Sequence, residues 1–147
     1  MIRGFLLGAP GRLRPFVTAR VAIPSQQIVG DVDFLIDTGA DATLLAPGDA
    51  IDLGLDVAAL PQGPRSTGVG GIITTVSAPA TITLDQHNFM IPLRILVPRS
   101  KRQQAALARI PSLFGRDLLA HFALFFEVRS ATVLLLEPDE ADGLDLA

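Results

Sequence analysis

Residues 34–45 read FLIDTGADATLL, so an apolar run from Phe34 to Ile36 ends in an acid, Asp37, followed at once by Thr38 and Gly39. A carboxylate at the mouth of a core is costly to charge unless its neighbours compensate. Thr38 offers a hydroxyl that can lock the loop, and Gly39 lets backbone N–H groups turn toward the acid. Such a loop would hold one carboxylate in one orientation. The tripeptide alone is weak evidence, because Asp, Thr and Gly are all turn residues and a strand-to-turn corner would explain them equally well.

Other chemistries find little support. Asp31, Asp33, Asp37 and Asp41 crowd one region, but the apolar residues 34–36 interrupt the tight acid spacing of a calcium loop, so no metal site is read. Cysteine is absent, which removes thiolate metal sites and a cysteine nucleophile. No G-x-S-x-G or H-E-x-x-H occurs, and His87 and His121 read as surface or internally satisfied residues. The GVGG stretch at 68–71 lacks the Lys-Ser/Thr and the helix pattern of a phosphate loop, since β-branched IITTV follows. A hairpin tip fits it better, with RSTG and IITTV as arms.

Strands must carry these residues. Val17, Ala19, Val21 and Ile23 alternate with Thr18, Arg20 and Ala22, PSQQ (24–27) turns the chain, and the return strand from Ile28 places Val32, Phe34 and Ile36 on one face before Asp37. TITLD (81–85) and FMIPLRILV (89–97) read as a second hairpin, with Pro92 at an edge or bulge. LFFEV (124–128) and TVLLL (132–136) are apolar enough for buried strands. Helix is scarce: about two turns are expected over 47–55, between Pro47 and Gly54, and two more over 116–122. Many short strands separated by turn signals argue an all-β barrel or sandwich.

The chain of 147 residues, 49% hydrophobic, suits one domain. Its net charge of −3 and eleven arginines scattered among twelve cations give no basic field for nucleic acid. Glycines and arginines from Gly8 to Arg14 interrupt the apolar start before a membrane span could form, so a soluble, cytoplasmic protein is expected. Residues 98–109 carry four cations and read as a loop or short exposed helix, and 137–147 as a flexible acidic tail beyond a domain spanning 1–136.

In order, RPFVTARV (14–21), LIDTGADATLL (35–45), GVGGI (68–72) and LFGRDLL (113–119) resemble the first strand, catalytic loop, flap tip and Gly-Arg helix of the retroviral-type, or retropepsin-like, aspartic proteases. The resemblance implies a closed acid-protease barrel with one or two short helices and a flap hairpin. By the same resemblance Asp37 is the catalytic aspartate, Thr38 bonds across to its counterpart loop, and Gly39 presents backbone to substrate. Asp41 pairs with Arg116 of its own chain and with Arg14 of a second chain, while Leu113 and Phe114 pack beneath the loop. Ala40, Asp41, Leu45, Gly68, Val69, Gly70, Ile72, Pro111 and Leu113 line the cleft and flap, favouring apolar side chains around the cut bond. The 100–109 stretch and the acidic tail are additions to the pattern.

The implied reaction needs two carboxyl groups sharing one proton, one to take a proton from water and one to donate to the scissile carbonyl. The chain has one D-T-G, and Asp31, Asp33 and Asp41 lack its loop. A two-fold axis must therefore supply the partner, so the expectation is a homodimeric endopeptidase acting on peptides, without cofactor. The alternative is a non-catalytic peptide-binding or dimerisation module on the same fold.

Overall fold

A computed structural model describes residues 1–68 and 71–144. Alternation builds its first hairpin. In β3 (Arg14–Ile23) and β4 (Ile28–Ile36) the apolar set Val17, Ala19, Val21, Ile23, Val32, Phe34 and Ile36 is buried. A 3-10 turn over Pro24–Gln26 joins the two strands, and left-handed Gln27 closes it by donating its N–H to the Pro24 carbonyl at 3.1 Å. Two short strands precede this hairpin, β1 (Ile2–Arg3) and β2 (Phe5–Leu7). After it come β5 (Leu44–Leu45) and helix α1 (Pro47–Leu53), which starts at Pro47 and ends on left-handed Gly54 as the sequence predicts.

The second hairpin is longer than its sequence pattern suggests. Strand β6 (Ser66–Gly68) pairs with β7 (Gly71–Leu84), which in turn pairs along its length with β8 (His87–Val97). Pro79 does not break β7, because it faces Pro92 across the ladder. Neither residue has an N–H, so the pair fits where the strands exchange no hydrogen bond. Pro92 also lies outside the short β5–β8 pairing at Arg94 and Ile95, in keeping with an edge position.

Helix α2 (Lys101–Leu107), capped by the Ser100 hydroxyl, β9 (Ser112–Phe114) and helix α3 (Arg116–Leu119) follow. Helix α3 is shorter than the two turns expected. The chain finishes with β10 (Ala123–Glu127), β11 (Thr132–Leu136) and α4 (Pro138–Asp142). Order thus continues past the last strand: a reciprocal capping box between Glu137 and Glu140 starts α4, and Glu140 holds the Met1 ammonium at 2.7 Å.

The large sheet runs β2-β3-β4-β9-β5-β8-β7-β6, and an added β3–β7 pairing joins its two sides into a closed ring of strands around the core. The architecture is mostly β, with a few short helices, as the strand and turn signals of the sequence predict. A second sheet, β1-β11-β10, packs Val133 and Leu135 onto the same core. Strand β10 is not the buried strand its composition suggests. It is an edge strand, and Phe125 and Phe126 remain 43% and 42% exposed. A smaller cluster of Ile73, Leu96 and Leu107 seats α2 on the outer side of β7 and β8, so the 100–109 insertion is anchored to the base of the β6–β7 hairpin. Gln103 adds a bond from its Nε2 to the Ile72 carbonyl at 3.4 Å.

Candidate active site

Strand order decides what meets at the site. Strand β9 lies between β4 and β5 and runs parallel to β4, so both strands end on the same side of the barrel. Asp37 leaves β4 at the level where Gly115 leaves β9, and the Asp37 N–H donates to the Phe114 carbonyl at 3.1 Å. Phe114 is fully buried and packs edge-on against Phe34 beneath the loop, with ring centres 6.2 Å apart.

The loop itself is tight. The Gly39 N–H donates to Asp37 Oδ1 at 2.9 Å, and a Cβ at residue 39 would sit 3.2 Å from that oxygen. Gly39 therefore serves through close approach. Among the described residues this is the one hydrogen bond that the Asp37 carboxylate accepts, and Asp37 is half-buried at the end of its strand. The Thr38 hydroxyl makes no hydrogen bond within the chain among the described residues, and the residue is exposed.

Arg116 braces the loop from the side. Its Nη1 donates to the Thr38 carbonyl at 2.8 Å, its Nη2 pairs with the Asp41 carboxylate, and its own N–H donates to the Ala40 carbonyl at 2.9 Å. The guanidinium fork suits two acceptors held at once. Arg14, the other cation singled out by sequence, lies at the start of β3 opposite Leu7 and stacks 5.8 Å above the Phe16 ring, not on Asp41 of its own chain.

A buried network that sequence reasoning missed ties the loop to α3. Thr43 is 1% exposed; its hydroxyl donates to Asp117 Oδ1 at 2.7 Å and accepts the Gly115 N–H at 3.1 Å. The Thr43 N–H reaches both Asp117 oxygens at 3.1 Å. Ser112, fully buried, donates to Asp49 at 2.5 Å and accepts the Ala46 N–H at 2.9 Å, fixing α1 to β9. The available signal was positional: Thr43 shares a strand face with buried Leu45, and a polar group on an inward face needs a partner. Gly115 permits the crossing, since a Cβ there would lie 2.5 Å from the Ala42 carbonyl carbon.

One cleft assignment is overturned. Leu45 is fully buried in the barrel core, because its neighbour Leu44 takes the opposite face of β5, so Leu45 has no surface to offer a substrate. Ala40, Pro111 and Leu113 are half-buried, and Ile72 stands 60% exposed on the hairpin arm opposite Thr67. Gly68 pairs with left-handed Gly71 at the top of the hairpin, while Val69 and Gly70 lie outside the described residues.

The aspartyl protease family model matches residues 20–116, well over half of the chain and inclusive of the loop, the hairpin and the Gly115–Arg116 turn. The chain belongs to that family. Among solved structures it is similar to the EIAV protease complexed with the inhibitor HBY-793, with 23% identity, coverage of 78% of this chain and 92% of that one, and a TM-score of 0.53. It is also similar to a retropepsin-like aspartic protease from Rickettsia conorii, with 16% identity, coverage of 90% and 87%, and a TM-score of 0.53. At these identities the likeness speaks for the fold. No curated protein matches the chain.

Proposed function

We propose that the chain is one subunit of a homodimeric aspartic endopeptidase, with Asp37 of each copy forming the catalytic pair. The observation that carries this reading is the Asp37 loop: one carboxylate, oriented by the Gly39 N–H and braced by Arg116, with the Thr38 hydroxyl left free to reach a neighbour. Two carboxyl groups a few ångströms apart cannot both ionise readily, so the pair holds one proton. The ionised member takes a proton from water as the water oxygen bonds to the scissile carbonyl carbon, and the protonated member gives its proton to the carbonyl oxygen. Collapse of the tetrahedral adduct breaks the C–N bond, and the amine leaves with a proton returned from the pair.

In this reading Thr38 bonds to the partner's loop, Asp41 and Arg116 hold the loop rigid, and Arg14 of the partner subunit reaches Asp41. The β6–β7 hairpin, tipped by Gly68, Val69 and Gly70, closes over an extended peptide and excludes water. Ala40, Ile72, Pro111 and Leu113 then favour apolar side chains beside the cut bond. The protease domain spans 1–136, and 137–147 is an appendage to it. Asp37→Asn tests the proposal: cleavage of a peptide library should fall about 10³-fold or more while solution mass and fold are kept. Wild-type protein that binds peptides as a dimer yet cuts none at any pH, with binding unaltered in Asp37→Asn, would point to the non-catalytic module.

A further inference from the structure

We infer that the cations on and around α2 form a recognition surface for acidic residues of the substrate, on either side of an apolar centre at the cut bond. The inference rests on the endopeptidase reading above and names its substrate class: extended peptides in which carboxylates flank a short apolar stretch. The charge of the chain is unevenly divided. Between Asp56 and Asp117 lie seven of its twelve cations and a single acid, Asp85, so a chain of net charge −3 has a strongly positive middle. Asp85 sits in the turn between β7 and β8, at the end of β7 remote from its pairing with β6.

Topology gathers these cations beside the residues assigned to the cleft. Arg116 is taken up by Asp41, and Arg94 is half-buried within β8. The other five, Arg65, Arg99, Lys101, Arg102 and Arg109, are exposed, and none makes an ion pair among the described residues. Val97 at the end of β8 faces Thr74 on one side of β7, and Ser66 of β6 faces Ile73 on the other. Arg99, two residues past Val97, and Arg65, one before Ser66, therefore flank the root of the hairpin. Arg99 also lines a depression of about 430 Å³ with Gln62, Thr74 and Val97. Helix α2 is fastened on two sides. Buried Leu107 packs on Ile73 and Leu96, with Leu44 and Ile110 against the same cluster. Leu44 is the β5 residue that pairs with Leu113, and Ile110 runs directly into Pro111. On the hairpin side, Gln103 accepts the Arg99 N–H at 2.8 Å through Oε1 and donates from Nε2 to the Ile72 carbonyl at 3.4 Å.

Like charges gathered without carboxylates repel one another, and an anionic ligand relieves that repulsion. Pairing within the chain is the rule elsewhere: Arg20, Arg116 and Arg129 each have a carboxylate in reach. Ile72, Pro111 and Leu113 offer apolar surface to the centre of a peptide, so selection by charge falls on its flanks. The two-fold axis of the dimeric reading repeats the surface at the other end of the cleft, which asks for acids on both sides of the cut bond. A peptide suits the patch better than a nucleic acid, which binds through rings as well as charge. The aromatic residues of this region are Phe114, which is fully buried, and Phe89, which pairs with Ile82 near the far turn of the β7–β8 hairpin.

Three extended peptides with one apolar centre, flanked on both sides by Glu, Gln or Lys, test the surface at about pH 7, where Glu is ionised. An exposed ion pair is worth only a few-fold, so several together should give the Glu peptide about a tenfold advantage in kcat/KM over the Gln peptide, carried mainly by KM. Raising salt from about 0.02 M to about 0.5 M should erase most of it. Lys101→Glu with Arg102→Glu should turn the preference toward the Lys peptide, whereas Arg20→Glu with Arg129→Glu, an equal change of net charge elsewhere, should not; melting curves check that both fold. Labelled peptides bound to Asp37→Asn give the same comparison without cleavage. Glu and Gln peptides cut and bound alike, or a preference that survives the Lys101 and Arg102 changes, overturn the inference and leave the hydrolase reading standing. A Glu preference in binding with no cleavage by the wild type keeps the surface and sinks that reading. Single-stranded DNA of equal length that binds more tightly than the Glu peptide would make this a nucleic-acid surface and overturn the peptide assignment.

Discussion

The buried hydroxyl of Thr43 offers a sharp test of how the loop is held. Thr43→Val keeps the shape and removes the oxygen that links the Gly115 N–H to Asp117. The Gly115 N–H is then left without an acceptor in a buried turn, at a cost of about 1–3 kcal/mol. Asp117 loses one charge-assisted bond but keeps the Thr43 and Leu118 N–H groups, so this part falls near the lower end of its range, about 1.5 kcal/mol. The sum, about 2.5–4.5 kcal/mol, corresponds to a melting point lower by roughly 7–13 °C for a chain of this size. Thr43→Ser retains the oxygen and loses only a methyl, so its cost should stay near about 1 kcal/mol.

Urea unfolding and thermal melts of the three proteins at one concentration read the difference, with peptide cleavage measured alongside. Cleavage should fall further in the valine variant than a small loss of folded protein explains, because Gly115 and Arg116 set the loop's position. Equal stability of Thr43→Val and wild type would refute the argument, since it would mean that water or a local shift satisfies Gly115 at no cost.

Gly115→Ala drives a Cβ into the Ala42 carbonyl and should cost about 3 kcal/mol or more, read by denaturation of whatever folds; a neutral result would show that the crossing is not close. Leu107→Ala, at 1% exposure in the satellite cluster, should cost about 2–4 kcal/mol, while Gln103→Ala should leave global unfolding unchanged and speed amide exchange in the β6–β7 arms. Glu140 is held below its ordinary value of 4.5, first by the hydrogen bond from the Met1 ammonium and then by the Glu137 N–H; this stability is present above 4.5 and lost as pH falls through the lowered value. The Met1 ammonium is raised above 8.0 chiefly by the same Glu140 bond, so its contribution is present below 8.0 and lost as pH rises through the raised value. On untagged protein, the protection of α4 amides relative to their intrinsic exchange rates should therefore be greatest between those limits, and Glu140→Gln should flatten the profile.

Period-2 patterning exposed β3, β4 and the β7–β8 hairpin because each buries one face against a shared core and pairs with a neighbour close in sequence. It hid β1 and β2, strands of two and three residues, the first of which pairs with residues at the far end of the chain. It also divided β7 into the IITTV arm and TITLD; Pro79 between them does not interrupt the ladder, because opposite Pro92 no N–H is needed. Apolar content misjudged β10 for a related reason. Composition reports how much surface a strand wants covered but not whether its own chain does the covering.

The same limit applies at the site. Asp37, Thr38, Gly39 and Arg116 were legible because the loop and the helix start each form a local motif. Thr43, Asp117, Ser112 and Asp49 were not, since their partners are 74 and 63 positions apart and meet only because β9 inserts between β4 and β5. What this network stabilises is the crossing of two chain segments, and one face of that crossing carries Asp37 while another opens toward the β10 edge. Under the dimeric reading proposed above, each subunit holds its own half of the carboxylate pair through contacts within its own chain. Order at the loop therefore does not depend on association, whereas a second carboxylate does. In that reading, a variant that blocks association should remove cleavage and leave the Thr43–Asp117 network, and the stability it contributes, in place.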